Sequence, residues 1–118
     1  MCGEMNDRLD LISTAGSNCV SLDAMVDMKK AKEAFGGKCV LAGNVSASAV
    51  LLSGSKEDVR SAVINCIRLA AEGGGYMAMP ACDLPPAVPI DNVKTFLETA
   101  RQYGGGDSLE RAYPIRMN

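Results

Sequence analysis

Apolar and polar positions along this chain follow two alternating periods. Residues 39–44 (Cys-Val-Leu-Ala-Gly-Asn) form a nearly unbroken apolar run, the pattern of a parallel strand buried on both faces. Residues 19–23 (Cys-Val-Ser-Leu-Asp) and 76–80 (Tyr-Met-Ala-Met-Pro) read as two further short strands. After each strand the apolar positions change to helical spacing. Val59, Ala62, Val63, Cys66, Ile67 and Ala70 recur on one face, and Ser55-Lys-Glu-Asp58 in front of them reads as a capping box with Asp in its last place. The pattern predicts a helix over 55–72, ended by Gly73-Gly74-Gly75. Asp27 is placed to cap a helix whose Met28, Ala31, Ala34 and Phe35 share a face, with Gly36-Gly37 as its stop. Asp91 is placed to cap another over 91–103, with Val93, Phe96, Leu97 and Ala100 as the expected buried face. Leu9, Leu11 and Ile12 mark a short helix within 6–15, and residues 46–52 suit a short helical turn.

The order is one helix followed by three β–α units. Successive strands begin about 20 and about 37 residues apart, which suits parallel strands joined by helical crossovers. The fold class is therefore α/β with a parallel sheet. Periodicity fits an open doubly wound sheet and a slice of a closed barrel equally well. Residues 1–104 carry this pattern. Residues 105–118 read as a tail in which Pro114 discourages helix.

Composition narrows the picture. The 118 residues suit one domain, and 47% of them are hydrophobic, but aromatic residues are only 4% and Trp is absent. Packing must come from aliphatic side chains and seven Met. The net charge of −2 and the lack of a basic stripe argue against a nucleic-acid partner. The longest apolar runs fall far short of the roughly 20 residues a spanning helix needs, and residues 1–10 carry early charge with no apolar run. The expectation is a soluble, cytoplasmic protein. Five widely spread Cys in apolar patterns read as reduced thiols in that compartment, with Cys19, Cys39 and Cys66 assigned to packing along with Met77 and Met79. There is no His, which excludes a Cys–His nucleophile pair, a His general base and a self-contained Cys/His zinc site within the chain.

Function in parallel α/β folds sits at the C-terminal ends of the strands. Those ends are Asp23, Gly43-Asn44 and Pro80-Ala81-Cys82. Asp23 and Asn44 are candidates for substrate contact, though each also suits a local turn. Gly73–Gly75 is not placed at the opening of a helix, so it does not read as a phosphate loop.

Three stretches carry a more specific signal. Cys2-Gly3 precedes the first helix. Leu41-Ala-Gly-Asn-Val45 leads into Leu51-Leu-Ser-Gly-Ser-Lys-Glu-Asp-Val59. Gly73-Gly-Gly-Tyr76 leads into Pro80-Ala-Cys-Asp-Leu-Pro-Pro-Ala-Val-Pro-Ile-Asp-Asn-Val93. In that order, from about Cys2 to Gly104, they resemble the C-terminal third of the uroporphyrinogen decarboxylase superfamily. That resemblance implies three consecutive βα units of a (β/α)8 TIM-type barrel, its C-terminal portion, and so only part of a catalyst.

The superfamily holds two main chemistries. The decarboxylases have Gly-His-Gly where Ala81-Cys82-Asp83 stands here, whereas the zinc-dependent corrinoid methyltransferases have a cysteine. By that resemblance Cys82 corresponds to the last zinc ligand, and Cys2 to the Cys of an earlier His-X-Cys whose His would immediately precede Met1. Two thiolates and an imidazole leave zinc an open position for a substrate thiol, which the metal holds as the more nucleophilic thiolate. The implied reaction moves a methyl group between a corrinoid, carried on a protein or as free cobamide, and a small thiol. A uroporphyrinogen decarboxylase-like lyase acting on a tetrapyrrole is the second reading. A binding or assembly module that kept the fold and lost the site is the third. Three strands cut from eight leave open edges and an uncovered face bearing Cys19, Ser21, Val40, Ala42, Asn44 and Met77 or Met79. The chain is therefore expected to self-associate or to meet the missing part of the barrel.

Overall fold

The computed structural model describes residues 1–104. The elements run α1 (Leu9–Ser13), β1 (Cys19–Ser21), α2 (Met28–Phe35), β2 (Val40–Val45), a π-helical turn (Ala47–Leu52), α3 (Lys56–Ala70), β3 (Tyr76–Pro80) and α4 (Ile90–Gly104). The expected tail over 105–118 lies outside the described residues. No helix among the described residues is long and apolar enough to cross a membrane.

The three strands form one sheet in the order β1-β2-β3, and both pairings are parallel, as the crossover lengths required. β1 ends at Ser21 and not at Asp23, although the Leu22 N–H still reaches the Ala42 carbonyl at 2.9 Å. β2 runs to Val45, one residue beyond its apolar run. Local chemistry sets the helix ends. Asp27 accepts from the N–H groups of Lys29 and Lys30, and Gly36 closes α2 in the left-handed region at φ 41°. Ser55 and Asp58 form the full capping box of α3. The turn after β2 is wider than an α-helix, with the N–H groups of Leu51 and Ser53 bonding carbonyls five residues back. Asp91 sits inside the first turn of α4, which begins one residue earlier, and does not cap it.

Strand alternation sorts the sheet into two unlike faces. Val20, Leu22, Leu41 and Val45 point to the helical layer and join two adjoining clusters. One packs Leu9, Phe35 and Ala70 beneath α1, α2 and α3. The other packs Leu51, Val63 and Phe96 among the π-helical turn, α3 and α4. Among the described residues no helix covers the opposite face. Cys19 is exposed there, Met77 is 52% exposed, and Ser21, Val40 and Met79 are half-buried.

Several packing expectations need correction on this account. Cys19 and Met77 are not core residues, because their face of the sheet is bare; Cys39 is half-buried, and of the three packing cysteines only Cys66 is buried. Leu97 is 47% exposed, because α4 packs against α3 and the π-helical turn and, among the described residues, has no helix on its other flank. The buried face of α4 instead includes two polar residues, Asn92 and Thr99. Asn92 donates to the carbonyls of Leu51 and Gly54 at 2.9 and 3.0 Å, closing the end of the π-helical turn. The Thr99 hydroxyl donates to the Thr95 carbonyl within its own helix.

Candidate functional site

The C-terminal ends of the three strands bring the singled-out residues to one end of the sheet. The Ala81 N–H bonds the Val45 carbonyl at 2.8 Å and carries the ladder one residue past β3. Cys82 is the next residue, and its side chain is exposed. Cys2 comes to the same end by another route. The Gly3 N–H donates to Asp23 Oδ2 at 2.7 Å, and the Met1 amino group donates to the Ser21 carbonyl at 3.0 Å. In this sheet Leu22 and Asn18 face β2 with their backbone groups, so the Ser21 carbonyl points outward. Residues 1–3 thus lie along the free edge of β1, with Cys2 exposed.

Asp23 and Asn44 spend their polar atoms inside the protein. Asp23 Oδ1 accepts from the Ala24 N–H at 2.6 Å, and Oδ2 from Gly3. The Asn44 amide donates to the carbonyls of Asp23 and Val26 at 2.9 and 2.7 Å, while its Oδ1 accepts from the Cys66 thiol at 3.6 Å. The Asn44 side chain therefore turns toward α3 and leaves the bare face on which strict alternation places it. Gly43, just before it, has φ 134°, and its peptide to Asn44 is cis. A Cβ on Gly43 would stand 2.8 Å from the Leu22 carbonyl oxygen, so this close approach needs glycine.

Beside Asn44 the Tyr76 hydroxyl donates to the Gly43 carbonyl. Burial, and then the neighbouring Cys66 thiol, push that phenol above its ordinary range, so it serves as a neutral donor. A cleft of about 430 Å³ is lined by residues 24–28, Asn44, and Asn65, Cys66 and Leu69 of α3; neither Cys2 nor Cys82 lines it.

These donors bear directly on metal binding. Among the described residues no group of three or more His, Cys, Asp or Glu side chains gathers closely enough to hold a metal ion. Catalytic zinc uses three protein ligands, and the chain has no His. Cys2 and Cys82 are exposed thiols at one end of the sheet, and by themselves they do not make a zinc site.

Comparison with known proteins agrees with this architecture. A family model described as "Uroporphyrinogen decarboxylase (URO-D)" matches residues 1–103. The chain belongs to the URO-D family. Among its relatives, a protein named "Methylcobamide:CoM methyltransferase MtaA" from Methanosarcina barkeri is 26% identical over 104 residues, covering 87% of this chain and 30% of the relative. A "Uroporphyrinogen decarboxylase" from Crocosphaera subtropica is 31% identical over 94 residues, covering 80% of this chain and 26% of that protein. A solved structure of a methyltransferase from Methanosarcina mazei superposes with a TM-score of 0.75 at 27% identity, over 88% of this chain and 30% of that one. The chain thus spans less than a third of the length of these relatives. Its three parallel βα units with helices on one face are a portion of a URO-D-family TIM-type barrel.

Sequence reasoning missed three residues at this end. Asn6 donates from Nδ2 to the Met25 carbonyl at 3.0 Å and accepts at Oδ1 from the Asp27 N–H at 2.7 Å, tying the N-terminal segment to the loop after β1. Asn92 and Tyr76 are the others. Apolar periodicity passes over a buried Asn, and the Tyr76 hydroxyl gives no signal until its acceptor is known.

Proposed function

We propose that this chain is the C-terminal part of a methyltransferase that moves a methyl group between a corrinoid and a small thiol. The reading rests on one observation above the others: a cysteine, Cys82, stands just past β3, where the decarboxylase branch of the family carries histidine. Cys2, held to the same end through Gly3, supports it. In this reading Cys82 and Cys2 contribute thiolates to a metal centre, and any zinc there draws its remaining ligands from outside these residues. When bound, zinc supplies the Lewis acidity that keeps a substrate thiol ionised. The residues of this chain position thiolates and shape the mouth. The methyl donor is a corrinoid protein or free cobamide, the setting is cytoplasmic, and the chain alone is inactive.

Relatives named uroporphyrinogen decarboxylases match at similar identity, so a lyase acting on a tetrapyrrole is the second reading. A non-catalytic module with the same fold is the third. The bare sheet face and open strand edges call for cover, from a second copy of this chain or from the rest of the barrel.

The test joins this chain to the N-terminal remainder of the Methanosarcina barkeri methyltransferase. Methyl loss from methylcobalamin is then followed with and without thiol, and carbon dioxide release from a uroporphyrinogen is followed in parallel. Thiol-dependent demethylation that falls at least about 100-fold in Cys82→Ser supports the proposal. Decarboxylation, or demethylation unchanged by that substitution, contradicts it.

A further inference from the structure

The loop after β1 is bonded to the N-terminal segment more heavily than a turn requires. Asp23 uses one carboxylate oxygen on its neighbour Ala24 and the other on Gly3, twenty residues away in sequence. Asn6 bridges the same segment to Met25 and Asp27. Asn44 holds the loop from behind, taking both the Asp23 and the Val26 carbonyls. The bonds therefore run in series, from β2 through Asn44 to the loop, and from the loop through Asp23 to Gly3. Gly3 has φ 94°, a conformation other residues avoid, so the backbone beside Cys2 is shaped as well as tied.

We infer that Asp23 is a positioning residue: its carboxylate fixes the Gly3 amide and thereby holds the Cys2 thiol at the C-terminal end of the sheet, with Asn44 acting through the Asp23 backbone. This deepens the methyltransferase reading and rests on it for the importance of Cys2. It gives the strand-end polar residues a task that involves no contact with substrate. A charge-assisted bond between carboxylate and backbone N–H is about twice as strong as a neutral one, which suits it to fixing the amide beside Cys2.

The experiment measures iodoacetamide alkylation of each cysteine by peptide mass spectrometry, in the 118-residue protein and its variants. Asp23→Ala removes both acceptors. Asp23→Asn keeps an oxygen for Ala24 while turning an amide donor toward the Gly3 N–H, and its near-identical size keeps the loop folded. Both variants should alkylate Cys2 at least about 3-fold faster, with Cys82 and the buried Cys66 unchanged. Cys66 reports general loosening, which a merely structural Asp23 would produce. Unchanged Cys2, or all thiols rising together in Asp23→Asn, overturns the inference. The readout involves no methyl transfer, so it fails or holds independently of the function. Faster Cys2 alkylation, combined with full methyl transfer by Cys2→Ser in the joined enzyme, would sustain the positioning role and remove Cys2 from the chemistry.

Discussion

The two faces of the sheet differ sharply in how far they are finished. On the helical side Leu22, Phe35, Leu41, Leu51, Val59 and Val63 are fully buried, in two clusters that meet across α3. On the other side Met77 and Cys19 meet solvent, and among the described residues no further strand pairs with the sheet edges at β1 and β3. Identical strands supply both faces, so the contrast comes from the covering layer. The first face is a completed core. The second stands open among the described residues.

The finished face is the more sensitive to truncation. Phe35→Ala should cost about 4 kcal/mol in urea denaturation, because a fully buried ring leaves a cavity beneath α2. Met77→Ser should change stability by less than about 1 kcal/mol in the same assay at a dilution that keeps the chain single, since its side chain is then half in water. Equal losses at both positions would mean that the second face is covered after all.

Asn92→Ala comes next, at about 2 kcal/mol, because the Leu51 and Gly54 carbonyls lose their buried donor. The loss should appear as release of the π-helical turn, read as faster amide exchange there while the α2 amides hold. Ser55→Ala should cost about 1 kcal/mol by removing the cap of α3, far from the unfinished face.

Acid should act at the same cap. The Ser55 N–H, and then the Ser55 hydroxyl, hold the Asp58 carboxyl below its usual range. A depressed folded-state value means the contribution is complete above the unfolded value near 4 and is lost as pH falls through the folded one. Asp58→Asn should therefore flatten the stability loss below about pH 4, measured by thermal unfolding across a pH series.

Legibility in the sequence followed the same division. The strand over 39–44 and the helix from Ser55 were readable because a buried parallel strand must be apolar throughout, and a capped amphipathic helix declares both its start and its face. The parallel order followed from crossover length. Burial of Cys19, Met77 and Leu97 was not readable. Alternation separates two faces of a strand without saying whether anything covers each, and four apolar residues on α4 do not reveal that only one flank has a neighbour. At the mouth, the residue types at 2, 23, 44 and 82 were visible, but not the bonding among them. Nothing in the spacing of Asp23 and Gly3 predicts that a carboxylate at one strand end will hold a backbone amide twenty residues earlier.

Whether the open face needs a covering partner is decided by the protein's state of association in solution. Sedimentation equilibrium or static light scattering across dilution should give a weight-average mass clearly above the 12.4 kDa of one chain at tens of micromolar, falling as the protein is diluted. Burial of the bare face and open edges would drive that association. A cooperative, well-folded monomer holding 12.4 kDa from tens of micromolar down to low micromolar would contradict it, and would make these residues a finished small domain.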